Sequence, residues 1–248
     1  MRFLLYNMRY GAGAGALFHL PFPGFGYLRR NPRNLRRIVE FIRSQHPDIV
    51  GLVEIDGGSY LRSNCCCQAA QIANALGHYH LYGGKYAPKT LASAIPVFAK
   101  QGNAILSKKK IVDEAFHYFE HGMKRLVIEA ATGDYTVFLV HLSLKFRHRQ
   151  HQLDTLYELL RPISGPCIVA GDFNAFWGDR ELRLFCAATG LTNANPLGLP
   201  SYPSRSPSRQ LDFIFHSPHL RVKRFEVPRI HLSDHCPLVC DFELTGHP

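Results

Sequence analysis

The sequence lacks the cysteine pattern of a structural zinc site or of a disulfide framework. Its seven cysteines are an odd number, no two of them form a CxxC pair, and three are adjacent at residues 65–67. Zinc ribbons and small secreted domains depend on paired or evenly spaced cysteines. The pattern therefore argues against both classes and is typical of reduced thiols in a cytoplasmic protein.

Long apolar runs are missing as well. No stretch approaches the ~18 consecutive apolar residues of a membrane-spanning helix. The opening MRFLLYN is interrupted by Asn7 before it reaches the length of a signal-peptide core. Internal repeats and low-complexity tracts are also missing, which argues against a solenoid. We expect a monomeric protein of the cytoplasm.

Acidic residues are scarce relative to basic ones. The 248 residues contain 29 lysines and arginines against 19 aspartates and glutamates, which gives a net charge of +10. Such an excess favours a partner that carries phosphate groups: a nucleic acid, an anionic membrane surface or a phosphorylated small molecule. The hydrophobic fraction of 46% suffices for a large core, and we expect residues 1–248 to form a single domain.

Short apolar runs recur along the chain, and most end on a polar residue of a type found in active sites. They are rich in Val, Ile, Leu and Phe, as β-strands are. Helical patterns cover residues 31–47, 68–77, 148–162 and 179–190, with Asn31 and Asp179 as predicted caps, and residues 104–130 resemble consecutive antiparallel strands. Strict βαβ alternation is missing, so we predict an α/β (α+β) fold in which helices cover two packed sheets. The polar residues at the ends of the runs are Asn7, Glu54, His141, Asp172, Asn174, Asp212, Asp234 and His235.

The segment IVAGDFNAFWGD, residues 168–179, carries the most specific of these patterns. An apolar run reaches a glycine, and Asp172 and Asn174 follow with Phe173 between them. Residues i and i+2 of an extended segment face the same side. We therefore predict that Asp172 and Asn174 point together into one site while Phe173 points away from it. Trp177 follows closely and is predicted to contact substrate.

The residues at the strand ends supply one kind of chemistry. Carboxylates and carboxamides provide oxygen ligands for a hard cation such as Mg²⁺, and no cluster of thiolates or histidines argues for zinc. A magnesium ion can neutralise phosphate oxygens and orient water. His141 and His235 can donate to a phosphoryl oxygen or transfer protons, and Asp212 can orient His235 through a carboxylate–imidazole hydrogen bond.

Taken together, these motifs resemble the endonuclease/exonuclease/phosphatase superfamily. The matching segments are LLYNMRYG, PDIVGLVEID, QGNAILSK, VHLSL, VAGDFNA, RQLDFIFHS and LSDHCPLV, which occur in the family's order over nearly the whole chain. The family includes pancreatic deoxyribonuclease, and this chain resembles its small bacterial members and the neutral sphingomyelinases. The resemblance implies a four-layer α/β/β/α sandwich of two mixed sheets flanked by helices. It also implies hydrolysis of phosphoesters with Mg²⁺ or Mn²⁺.

The resemblance implies a role for each motif residue. Asn7, Glu54 and Asp234 would lie at the metal, with Glu54 as the principal ligand. Asp172 or His235 would activate the attacking water, and the family pattern leaves open which of them is the base. The other catalytic positions would be His141, Asn174 and Asp212, and the substrate-facing positions Asn103 and Arg125.

Three classes of function remain open. A lipid or membrane-associated phosphoester is favoured by residues 11–30, a glycine-rich loop whose aromatic residues and paired arginines suit an anionic membrane, unless those aromatic residues fold onto the core. A nuclease is favoured by the net charge and by the basic segment 144–152, unless that segment is only the solvated start of a helix. A non-catalytic module that binds phosphorylated ligands would lack a metal or proton-transfer residue, and none is lost here.

Overall fold

Two six-stranded mixed sheets face each other in the computed structural model, which describes residues 1–13, 31–59, 65–85, 100–122 and 126–245. The strands are β1 (Arg2–Asn7), β2 (Ile49–Asp56), β3 (Tyr79–Gly84), β4 (Gln101–Ser107), β5 (Asp113–Tyr118), β6 (Leu126–Ala131), β7 (Thr136–His141), β8 (Cys167–Asp172), β9 (Thr192–Asn193), β10 (Asp212–His216), β11 (Leu220–Glu226) and β12 (Leu238–Leu244). The strand orders are β11-β12-β1-β2-β4-β3 and β5-β6-β7-β8-β10-β9. Each sheet has one parallel pair, β1 with β2 and β7 with β8.

Helices cover the outer face of both sheets. The helices α1 (Pro32–Ser44) and α2 (Gln68–Leu76) pack on the first sheet, and α3 (Phe146–Leu160) and α4 (Arg180–Thr189) pack on the second. The predicted four-layer sandwich is therefore confirmed. None of these helices, in the part of the chain that the structure describes, is long and apolar enough to cross a membrane.

The alternation of β1 shows how the layers arise from the sequence. Phe3 and Leu5 enter the cluster between the two sheets, while Leu4 and Tyr6 enter the cluster beneath α1 and α2. Successive side chains of a strand point to opposite faces, so a strand that is apolar throughout is covered on both sides. The continuous apolar runs are therefore central strands.

The helix ends agree with most of the predicted signals. Oδ1 of Asn31 accepts a hydrogen bond from the N–H of Asn34 at 3.1 Å, which caps α1. Gly77 ends α2 in a left-handed conformation, as glycine often does. Asp179 precedes α4, but its predicted capping bond is wrong, because its carboxylate lies 3.3 Å from Nε of Arg183 instead.

The segment from residue 104 to residue 130 departs from the predicted series of neighbouring strands. The strands β5 and β6 pair as predicted, but β4 belongs to the other sheet, between β2 and β3. Strands with the same apolar pattern cannot be told apart in sequence by the sheet that they join. The sequence between β4 and β5 therefore does not show that the chain crosses from one sheet to the other.

Gly171 lies directly before Asp172, where β8 approaches β7 closely. Its φ is 153°, and a Cβ built there would lie 1.9 Å from the carbonyl oxygen of Val140. We expect Gly171→Ala to lower the free energy of unfolding by about 3 kcal/mol or more, because backbone must move to admit the methyl group. Urea unfolding followed by circular dichroism measures this loss. Gly165→Ala is the matched control, since a Cβ there meets no atom within 4 Å, and equal losses in both variants would contradict the prediction.

Candidate active site

Strand register brings three of the predicted site residues side by side at one edge of the second sheet. His141 and Asp172 are the last residues of the parallel strands β7 and β8 and are paired in register. Asp212 is the first residue of β10, which runs antiparallel to β8 and pairs Asp212 with Asp172. All three residues are buried. The pairing of neighbouring strands therefore fixes their mutual positions.

Asp172 lies at the centre of this group. Its Oδ2 accepts a hydrogen bond from Nδ2 of Asn7, at the end of β1 in the other sheet, at 3.1 Å. The same oxygen lies 3.3 Å from Nε2 of His141 and 4.0 Å from Nε2 of His235, and Oδ1 accepts from the N–H of Asn174 at 3.0 Å. A buried carboxylate with several donors is held in one orientation. Residues from both sheets thus position Asp172.

Asn174 reaches this place through a turn and not through extended alternation. Phe173 is buried in the core on the far side, as predicted, but Asn174 has a left-handed φ of 52°. Its N–H turns back to Asp172, and its Nδ2 donates to the carbonyl of Leu142 at 2.9 Å. Asparagine tolerates this conformation because its side chain bonds nearby backbone. Asp172 and Asn174 are neighbours at the site, but the extended geometry predicted for them is wrong.

Glu54 is presented by an irregularity in β2. The register of β2 against β4 shifts between Leu52 and Ile55, and Glu54 has a left-handed φ of 54°. A β-bulge of this kind re-aims a side chain. The N–H of Glu54 donates to Oδ1 of Asn103 at 3.2 Å, so Asn103, predicted to face substrate, holds the Glu54 backbone. The Glu54 carboxylate is 14% exposed and lies 4.0 Å from Nε2 of His141.

His235 and Asp212 form a buried pair. Nδ1 of His235 lies 2.7 Å from Oδ2 of Asp212, and the same oxygen accepts from Oγ of Ser201 at 2.6 Å. Burial lowers the pKa of His235, but the carboxylates of Asp212, Asp172 and Asp234 outweigh burial and raise this pKa to about 10. Burial raises the pKa of Asp212, while the charge and the hydrogen bond of His235, and to a lesser extent the bond from Ser201, act in the opposite direction. We therefore place the proton of the pair on the imidazole at neutral pH.

Arg9 and Ser201 contact the predicted site residues, although neither of them was predicted as a site residue. Nη1 of Arg9 lies 3.3 Å from Oδ2 of Asp234, and its N–H donates to Oδ1 of Asn7 at 3.2 Å. Arg9 follows Asn7 by two residues, so its proximity to a strand end was a usable signal. Ser201 lies in a loop 11 residues before Asp212, and nothing in its sequence surroundings indicates that contact.

The donor set at Glu54 fits a hard divalent cation. Within the described ranges of the chain, the closest ion-pair contact of Glu54 is His141 at 4.0 Å, which exceeds hydrogen-bond distance. A largely buried carboxylate needs a closer counter-charge. Asn7 and Asp172 add amide and carboxylate oxygens, the ligand type that Mg²⁺ prefers. A second group of ligand atoms, on Asp172, Asp212 and His235, lies within 4.8 Å, but two of these residues already bond to each other.

An aromatic wall flanks His235 on one side. The ring of Tyr202 lies 4.9 Å from the His235 ring and 5.9 Å from that of Phe176, over which the guanidinium of Arg209 stands at 6.0 Å. Trp177 follows Phe176 and is 89% exposed. Its indole is thus open to solvent. Arg125, most of the 11–30 loop and its aromatic residues and paired arginines lie outside the residues that the structure describes.

Comparison with known proteins gives one family and one fold. The model of the endonuclease/exonuclease/phosphatase family matches residues 4–235. A UPF0294 protein of Vibrio vulnificus is 34% identical over 109 residues, which make up 42% of this chain and 37% of that protein, so the chain spans little more than a third of this relative's length.

Two solved structures share the architecture over almost the whole chain. An endonuclease/exonuclease/phosphatase from Beutenbergia cavernae superposes with a TM-score of 0.75 at 20% identity, covering 99% of this chain and 72% of that one. The Bacteroides thetaiotaomicron mannosyl-6-phosphatase Bt3783 superposes with a TM-score of 0.73 at 18% identity, covering 98% and 100%. Likeness at these identities shows the fold alone.

Proposed function

The chain belongs to the endonuclease/exonuclease/phosphatase family, and from this premise we propose that it hydrolyses phosphoesters with a bound Mg²⁺ or Mn²⁺. The observation that carries the proposal is the convergence of His141 and His235 on one buried oxygen of Asp172, at 3.3 Å and 4.0 Å. A carboxylate flanked by two imidazoles supplies the groups that attack of water on phosphorus requires. The similar protein named mannosyl-6-phosphatase supports a phosphoester as the substrate class.

Asp172 is the base in this proposal. Its Oδ2 accepts the proton as the water oxygen forms a bond to phosphorus and the phosphorus–oxygen bond to the leaving group breaks. The raised pKa of His235 favours a charged imidazole that donates from Nε2 to a phosphoryl oxygen, rather than a base. His141 is placed to donate to the phosphate or to the leaving group, and Asn174 holds Asp172 in place through its N–H.

Glu54 is the principal metal ligand in this proposal, with Asn7 and Asp234 beside it. The bound ion would neutralise charge on the phosphate. Arg9 holds both of these neighbours, Asn7 through its N–H and Asp234 through its guanidinium. In this proposal Asn7 and Glu54 of the first sheet would bind the ion together with Asp234, which lies before β12, while His141 and Asp172 at the ends of β7 and β8 move protons.

We propose a lipid or membrane-associated phosphoester as the substrate. The net charge of +10 supports an anionic surface as the place where substrate is met. A nuclease is the second candidate, favoured by the exposed indole of Trp177, five residues after Asp172 in the chain, because bases stack on such rings.

A substrate panel with and without metal tests the proposed function. It contains bis-p-nitrophenyl phosphate, sphingomyelin, phosphatidylglycerol phosphate, soluble inositol phosphates, plasmid DNA and an abasic duplex, each with Mg²⁺, Mn²⁺ or EDTA. We expect hydrolysis that EDTA abolishes, and we expect Glu54→Gln to raise the metal concentration for half-maximal rate by about tenfold or more. Glu114→Gln, on the exposed edge of β5, is the control. No hydrolysis of any substrate with either metal would overturn the proposal.

A further inference from the structure

The loop after β7 and the facing sides of α3 and α4 form an exposed apolar and basic surface, which we name the α3–α4 edge. Its apolar side chains are Leu144, Phe146 and Leu184, with exposed fractions of 56%, 58% and 65%. Single exposed apolar residues are ordinary, but a group of them with a concave face marks an interaction site. The cations beside these side chains, all exposed, are Lys145, Arg147 and Arg180.

A groove of about 540 Å³ runs between the two helices of this edge. Phe146, Leu153 and Tyr157 of α3 line it on one side, and Leu184 and Phe185 of α4 line it on the other. The groove is therefore mostly apolar.

A buried arginine holds the edge in shape. Arg149 is 1% exposed, although its segment resembled a solvated helix start, and its Nε lies 2.6 Å from Oε1 of Glu181 on α4. Its Nη1 donates to the carbonyls of Ser143 and Leu144 at 3.1 Å and 2.7 Å. These bonds tie the loop and both helices together. The exposure of Leu144 and Phe146 thus belongs to a braced structure and not to a frayed helix end.

The edge adjoins the candidate active site. The carbonyl of Leu142, which accepts from Asn174, lies only two residues before Leu144. The helices α3 and α4 both begin at this side, after β7 and β8 have ended at His141 and Asp172. Helix amino termini carry partial positive charge, which adds to that of the exposed cations. A surface that binds the edge would therefore lie near the strand ends that carry His141 and Asp172.

We propose that the α3–α4 edge docks the protein on an anionic phospholipid surface. Apolar side chains interleaved with lysine and arginine suit the headgroup region of such a bilayer. The acidic residues of this face do not cancel its charge, because Glu181 is paired with Arg149 and Asp179 with Arg183, which leaves Asp154 in the groove. A second copy of the chain fits less well, since a two-fold contact would bring its cations against the same cations.

Docking deepens the proposed function, because the site would then meet substrate at the membrane, but docking itself requires no catalysis. Co-sedimentation with phosphatidylcholine vesicles, alone or mixed with phosphatidylglycerol, measures it. We expect binding to the anionic vesicles only, and a loss of about tenfold in partitioning for Phe146→Ser combined with Leu184→Ser. Val112→Ser is the apolar control, because Val112 is also exposed, at 65%, but lies outside the α3–α4 edge.

A charge-matched pair separates a local effect from net charge. Lys145→Glu with Arg147→Glu is expected to abolish vesicle binding, while Lys108→Glu with Lys110→Glu, an equal change before β5, retains most of it. Equal losses in both pairs, or full vesicle binding by the apolar variant, would overturn the proposal. Loss of dimerisation or of single-stranded DNA binding in the edge variants, with vesicle binding unchanged, would overturn it in favour of those partners.

The test also separates docking from catalysis. Asp172→Asn is expected to bind vesicles like the wild type, and the edge variants are expected to hydrolyse soluble bis-p-nitrophenyl phosphate at the wild-type rate. Hydrolysis without vesicle binding would overturn docking alone. Vesicle binding without hydrolysis of any panel substrate would overturn the proposed function alone.

Discussion

Asp172→Asn is expected to lower kcat by about four orders of magnitude, toward the upper end of what a positioned proton-transfer group contributes. The carboxamide keeps the size of the side chain but cannot take a proton from water. It also disturbs the contacts of Oδ2, because this oxygen of Asp172 faces Nδ2 of Asn7 and the Nε2 atoms of His141 and His235. Single-turnover hydrolysis of bis-p-nitrophenyl phosphate at saturating Mg²⁺ measures the loss.

The control for this variant must show that the fold is intact. Because Asp172 is buried, the midpoint of thermal unfolding of Asp172→Asn is compared with that of Asp113→Asn. Asp113 is an exposed aspartate at the start of β5. We expect full activity for Asp113→Asn and a cooperative unfolding transition for both variants. Activity of Asp172→Asn within about tenfold of the wild type would refute the role of Asp172 as base.

Much of the site was predictable because polar residues follow apolar strands. Asn7, His141 and Asp172 each end a strand, and Asp212 begins one. Parallel strands of one sheet end at the same edge, and an antiparallel neighbour begins there. The positions of the strand ends therefore indicate that His141, Asp172 and Asp212 lie close together. The register of β7, β8 and β10 places them side by side.

The remaining parts of the site depend on tertiary contacts that no local pattern encodes. Glu54 and Asn174 both have left-handed φ values, which a strand pattern does not predict for either residue. Ser201 reaches Asp212 from a loop, and the sequence of that loop does not indicate this hydrogen bond. Arg149 lies in a basic run typical of solvent, yet it is buried because Glu181 and two carbonyl groups receive its donors. Arginine side chains are usually exposed, and Arg149 is buried here because of its hydrogen-bond partners.

A double-mutant cycle on Asp212 and His235 is expected to show that the two residues act as one unit. His235→Ala should lower kcat by about three orders of magnitude, because Nε2 loses its place beside Asp172. Asp212→Asn should lower it by about two orders, since the buried imidazole loses the carboxylate that orients and charges it. The double variant should be no slower than His235→Ala, because Asp212 acts only through His235.

Stability decides which substitution at His235 is informative. Among the residues that the structure describes, His235→Ala leaves Ser201 as the remaining hydrogen-bond partner of Asp212, and Oδ1 of Asp212 is buried there without a partner, so some loss of stability is expected. His235→Asn, whose Nδ2 takes the place of imidazole Nδ1, can still donate to Asp212 and serves as the folded counterpart; we expect it to retain the unfolding midpoint but not the activity. If the losses of Asp212→Asn and His235→Ala instead add in the double variant, the two residues act independently, and the carboxylate contributes to the reaction by a separate route.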